Sequence, residues 1–83
     1  MRRETMDLLW EIYGMRKHKK LTQKEFAEML GFSRSAVNDI ENMRRNPSES
    51  FLVSFNQIFH SEKTDEFYSF LDILKENSYK YPI

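Results

Sequence analysis

The chain has 83 residues, 40% of them hydrophobic, with two glycines, two prolines and no cysteine. A chain of this size can bury one small core, usually with help from oligomerisation or another reinforcement, and the missing cysteine excludes disulfides, thiol catalysis and Cys-based zinc sites. Thirteen Lys plus Arg offset thirteen Asp plus Glu for a formal net charge of zero, so there is no overall basic footprint of the kind phosphate binding favours.

Division at Arg45 exposes an asymmetry. Residues 1–45 carry ten Lys plus Arg against seven Asp plus Glu, and residues 46–83 carry three against six. A basic half and an acidic half are the expectation. Asp7 and Glu11 interrupt the first apolar segment, so neither a signal peptide nor a membrane span is expected there. A cytoplasmic protein, ordered and mostly helical, is.

The first predicted helix runs from about Thr5 to Lys17. Leu8, Ile12 and Met15 form an i, i+4, i+7 stripe suited to a core, while Gly14 costs about 1 kcal/mol of helix stability relative to Ala. Met6, Trp10 and Tyr13 make a second apolar stripe. It either packs under the C-terminal segment or serves a subunit or partner interface, where Trp and Tyr are favoured anchors. Lys17, Lys19 and Lys20 then give a basic run, either a solvated loop or a source of nonspecific attraction to phosphate. His18 lies in this run.

Thr22 and Glu25 make a T-x-x-E capping box, which starts a second helix near Gln23. Phe26, Ala27 and Leu30 face inward, and Lys24, Glu25 and Glu28 face out. Gly31 can end this helix in the left-handed conformation at little cost. Phe32 is expected to be buried, and Ser33 is a suitable N-cap for a third helix. There Ala36, Val37 and Ile40 point inward, leaving Arg34, Ser35, Asn38, Asp39 and Asn42 outward or flanking. Two short amphipathic helices hinged at one glycine, the second with a free polar face, have the layout of a DNA-reading helix-turn-helix.

Pro47 and Ser48 precede a fourth predicted helix, with Glu49 in its first turn and Phe59 near its end. Leu52, Phe55, Ile58 and Phe59 are expected to close the core. His60 follows at the C-terminal end, where the helix dipole favours a cation. Two lone histidines without a carboxylate cluster make no metal site, and no cofactor is expected. A fifth helix begins near Thr64, with Phe67, Phe70, Leu71 and Leu74 along one stripe and Tyr68 and Ile73 beside it. So wide an apolar surface seldom stays in water: it wraps the core, meets a second subunit or receives a partner protein. The four stripe residues are the candidate dimer or partner interface. The tail, Tyr79 to Ile83, is not expected to remain helical. Residues 1–61 are thus expected to form the helix-turn-helix domain, and residues 62–83 a C-terminal helix and tail that extend it.

Arg16, Leu21-Thr22-Gln23, Ala27, Gly31, Ser33-Arg34-Ser35, Ile40-Glu41 and Pro47 stand in the order and spacing of a known pattern. Over roughly residues 8 to 60 the chain resembles the Cro and phage-repressor (Xre-type) helix-turn-helix family. That resemblance implies an all-α, compact, five-helix repressor-like domain, with its helix-turn-helix at the second and third helices. It also implies that Arg16 and Glu41 pair across the first and third helices, a structural role. One position departs: Met43 stands where the family usually has Gly after the third helix. Methionine tolerates a left-handed conformation poorly, so either Asn42 takes that role or the exit is reshaped.

On this footing Arg34, Ser35, Asn38 and Asp39 are the candidate base readers. A guanidinium can grip guanine O6 and N7, Asn38 can pair with adenine, and Asp39 can accept from cytosine N4 or simply repel phosphate. Gln23, Lys24, Asn42, Arg44 and Arg45 are the candidate phosphate contacts, which set register and not sequence. The partners implied are double-stranded DNA and a second copy of the chain. The expected function is a dimeric transcriptional repressor. The alternative is a protein-interaction module on the same fold, such as an antirepressor or antitoxin, whose C-terminal aromatic surface holds a partner. No nucleophile–base pair, carboxylate cleft or Gly-rich phosphate loop points to an enzyme.

Overall fold

The computed structural model describes residues 3–77, and the tail from Tyr79 to Ile83 lies outside the described residues. Five α-helices follow in order: α1 (Arg3–His18), α2 (Gln23–Leu30), α3 (Arg34–Glu41), α4 (Glu49–Phe59) and α5 (Asp65–Asn77), with a 3₁₀ turn over His60–Glu62 before α5. No strand occurs among the described residues. The fold is the all-α, five-helix arrangement that the sequence implies.

Local chemistry sets the helix starts. Thr22 Oγ1 accepts from the Glu25 N–H at 3.0 Å while a Glu25 carboxylate oxygen accepts from the Thr22 N–H at 2.9 Å, completing the capping box of α2. Ser33 accepts from the Ala36 N–H at 3.1 Å to open α3, and Ser48 accepts from the Phe51 N–H at 3.1 Å to open α4. Thr64 plays the same part for α5, accepting from the Phe67 N–H at 3.2 Å.

The ends of α1, α2 and α3 share one device, a left-handed residue closed by two backbone hydrogen bonds. At α2 that residue is Gly31, φ 81°, with Phe32 N–H donating to the Ala27 carbonyl. At α1 it is Lys20, φ 58°, with Leu21 N–H donating to the Arg16 carbonyl. At α3 it is Met43, φ 60°, with Arg44 N–H donating to the Asp39 carbonyl. Met43 itself therefore adopts the conformation for which glycine is suited, and Asn42 stays at φ −95°. Packing compensates: the Met43 side chain lies partly buried against the core.

The core gathers Leu9, Ile12 and Met15 of α1, Phe26 and Leu30 of α2, Val37 and Ile40 of α3, Phe51, Phe55 and Phe59 of α4, and Phe67 and Leu71 of α5. Two expectations change here. Leu8 is only partly buried and Leu9 takes the inner position. In α4 the inner row is Phe51, Phe55 and Phe59, whereas Ile58 stands 38% exposed; an i, i+4, i+8 row faces the core and Ile58 falls off it. The second stripe of α1 is internal too, with Trp10 and Tyr13 buried and meeting edge to face at 6.2 Å between centroids.

Helix α5 makes α1 buried on two sides. Phe67 and Leu71, expected at a dimer or partner interface, lie in the chain's own core at 0% and 3% exposure. Gly14 permits this approach, because a Cβ added there would come within 2.5 Å of Leu71 Cδ1. Phe70 and Leu74 are half-buried. His18, in the last turn of α1 and not in the following loop, rests against Phe67 and Phe70 with centroids at 5.7 and 5.0 Å. Ion pairs Lys63–Glu11, at 3.2 Å, and Lys19–Glu62 tie the segment before α5 to α1.

Candidate nucleic-acid interface

The site rests on a buried ion pair. Arg16 Nε donates to Glu41 Oε2 at 2.7 Å and Nη2 to Oε1 at 2.9 Å, while Nη1 donates to the Leu21 carbonyl at 3.0 Å. The residues are 7% and 1% exposed. Two parallel bonds between guanidinium and carboxylate fix geometry as well as charge, so the pair locks α1 to the last turn of α3. The Arg16 guanidinium also lies 5.6 Å from the Tyr13 ring centroid. Burial raises the Tyr13 pKa, the nearby Arg16 charge opposing and the Glu41 charge adding to the effect.

From Glu41 a chain of amides runs outward to the exposed side of α3. Gln23 Nε2 donates to Glu41 Oε1 at 3.0 Å and to Asn38 Oδ1 at 3.3 Å. Asn42 Nδ2 donates to the Asn38 carbonyl at 2.8 Å and to Asn38 Oδ1 at 3.0 Å. The Asn38–Asn42 bonds are local, four residues apart, whereas the Gln23 bonds join two helices whose relative placement decides which side chains meet.

Ala36, Val37 and Ile40 anchor the other side of α3 in the core, which turns Arg34, Ser35 and Asn38 to one surface. Together they line a shallow cleft of about 190 Å³. Arg34 and Ser35 are exposed, and Asn38 and Asp39 are half-buried. Asp39 accepts from Arg44 Nη1 at 3.2 Å, an exposed pair. Arg34, Ser35 and Asn38 are thus brought together, while Asp39 is turned toward the C-terminal exit.

The candidate phosphate contacts divide. Lys24 and Arg45 are exposed. Arg44 is exposed but leans on Asp39. The side-chain nitrogens of Gln23 and Asn42 point into the network, each with two acceptors inside the chain. An amide nitrogen has two hydrogens, so neither has a side-chain donor left over for phosphate in this arrangement. Gln23 retains its backbone N–H in the first turn of α2, where amides lack intrahelical acceptors.

No group of histidine and acidic side chains placed to hold a metal ion occurs among the described residues, and no helix there is long and apolar enough to cross a membrane. A family model described as helix-turn-helix matches residues 12–66. Neither the curated proteins nor the solved structures contain a match to the chain. The matched span carries the capped α2, the Gly31 turn, the outward face of α3 and the Arg16–Glu41 lock, and the chain belongs to the Cro and phage-repressor (Xre-type) helix-turn-helix family of DNA-binding proteins.

Proposed function

We propose that the protein is a sequence-specific transcriptional regulator, a dimeric repressor that lays α3 in the operator major groove. The observation that carries this is the single polar surface of Arg34, Ser35 and Asn38, held rigidly through Gln23 and Glu41 to Arg16 in the core. Rigid placement matters because bidentate base contacts depend on sub-ångström geometry. Arg34, in the first turn of α3, is the leading base reader, with Ser35 beside it. The α2 N-terminus with the Gln23 amide, and the exposed Lys24 and Arg45, hold phosphates. Arg44 joins them or stays on Asp39, and Asp39 repels phosphate at the flank.

One recognition helix covers too few base pairs for useful specificity, and a two-fold dimer on half-sites about one helical turn apart supplies the rest. With Phe67 and Leu71 internal, the outer flank of α5 falls to Phe70, Ile73 and Leu74 at i, i+3, i+4, Ile73 being 60% exposed. That flank pairs two copies. The same flank supports a second reading, a partner-protein module of the antirepressor or antitoxin kind, in which DNA contact is secondary.

Selection of bound sequences from a random duplex pool decides between them. The regulator yields a two-fold symmetric motif that relaxes when Arg34→Ala replaces the wild type. Absence of any enriched motif at moderate salt refutes the repressor and leaves the partner module.

A further inference from the structure

We infer that Asn38 reads DNA as a pure hydrogen-bond donor, through Nδ2 alone, and therefore selects a guanine–cytosine pair where an asparagine free to rotate would favour adenine; this rests on α3 lying in the major groove as proposed. The orientation of an amide side chain is ordinarily ambiguous, because its oxygen and nitrogen have nearly the same shape. Here two groups that can only accept remove the ambiguity from opposite directions.

The first is the Glu41 carboxylate, ionised in its pair with Arg16. The Gln23 atom 3.0 Å from Glu41 Oε1 must be the NH₂ group, and that same nitrogen lies 3.3 Å from the Asn38 side chain, which must present its oxygen. The second is the Asn38 backbone carbonyl. The Asn42 atom 2.8 Å from it must again be the nitrogen, and that nitrogen lies 3.0 Å from the same Asn38 side-chain atom, which must again be oxygen. Both routes give one answer. Asn38 Oδ1 receives two donors and its two lone pairs are occupied, so Nδ2 is the atom left for the cleft shared with Arg34 and Ser35.

A bidentate grip on adenine needs an oxygen for the N6 amino group and a nitrogen for N7. Asn38 has only the nitrogen to give. Cytosine presents an amino donor, which meets Nδ2 donor to donor. Thymine offers one acceptor, O4, beside a methyl group. Guanine offers two adjacent acceptors, N7 and O6, so a donor-only Nδ2 finds an acceptor there and meets no opposing donor. Arg34, one turn before Asn38, is likewise donor-only. The α3 face therefore asks for acceptor-rich edges at two nearby positions, and Ser35 is the member of the three that can also accept.

Selection from a random duplex pool with wild type, Asn38→Asp and the double variant Gln23→Met/Asn42→Ala tests this. Asn38→Asp keeps an oxygen for Gln23 and Asn42 but replaces the outward donor by an acceptor, so the fold is retained and one position of the motif changes. The expected results are a G·C pair at that position in wild type, loss of its preference by about tenfold or more in Asn38→Asp, and a gain of A·T there when the double variant frees Oδ1. An A·T pair at that position in wild type overturns the inference and leaves DNA reading by α3 standing. A motif unchanged by Asn38→Asp overturns it as well. No enriched motif at all sinks the DNA reading itself and the inference with it.

Discussion

Arg16 and Glu41 join α1 to α3 through two parallel hydrogen bonds, 2.7 and 2.9 Å long, at a site where Glu41 is 1% exposed. Glu41 also receives the Gln23 amide that steadies Asn38. Removal of either partner strands a charge in a poorly solvated place, which costs about 3–5 kcal/mol, whereas removal of both costs less than the sum. Urea unfolding of Arg16→Met, Glu41→Met and the double variant measures this coupling, and additive losses count against it.

Lys20 and Met43 occupy left-handed backbone at φ 58° and 60°, a conformation that costs an L-residue about 1–2 kcal/mol. Lys20 is exposed, so Lys20→Gly relieves strain without loss of packing. After the added freedom of the unfolded chain is counted, it is expected to stabilise by about 0.5–1 kcal/mol, or a few degrees in thermal midpoint. Met43→Gly is expected to gain less, because the methionine side chain packs on the core. A larger gain at Met43 than at Lys20 contradicts this.

Glu25 links stability to pH. The Thr22 backbone N–H, and secondly the Thr22 side chain, hold its carboxyl below the ordinary value of 4.5. A depressed folded-state pKa contributes stability that is present above the unfolded value and is lost as pH falls through the folded one. Glu25→Ala therefore lowers the urea midpoint at neutral pH and leaves it nearly unchanged well below 4.5. Equal lowering at both pH values contradicts this.

Much of this architecture is legible in the sequence, because caps are local. Thr22, Ser33 and Ser48 announce helix starts, and Gly31 a helix end, through contacts within three or four residues. The role of α5 is not local. An apolar stripe looks the same whether it covers its own core or a second chain, and the close approach of Leu71 to Gly14 emerges only once the helices are packed. The Gln23 bonds to Asn38 and Glu41 are hidden for the same reason, as they depend on how α2 sits on α3. Met43 shows tertiary packing overriding a backbone preference that the sequence states correctly.

The outer flank of α5 separates fold from assembly. Ile73 is 60% exposed, so Ile73→Lys is expected to change the thermal midpoint little, within about 0.5 kcal/mol, while shifting the protein from dimer to monomer in sedimentation at micromolar concentration. A wild type that is monomeric both free and on DNA, or a variant that still dimerises, removes this flank as the interface.

The most direct measurement is competition between a selected duplex and a shuffled duplex of the same composition, at one fixed salt concentration, for wild type and Arg34→Ala. The wild type is expected to prefer the selected duplex by about a thousandfold or more. Arg34→Ala is expected to lose about tenfold or more of that preference with its thermal midpoint preserved, since Arg34 is exposed. Equal wild-type affinity for the two duplexes, or a preference untouched by Arg34→Ala, contradicts base reading by α3.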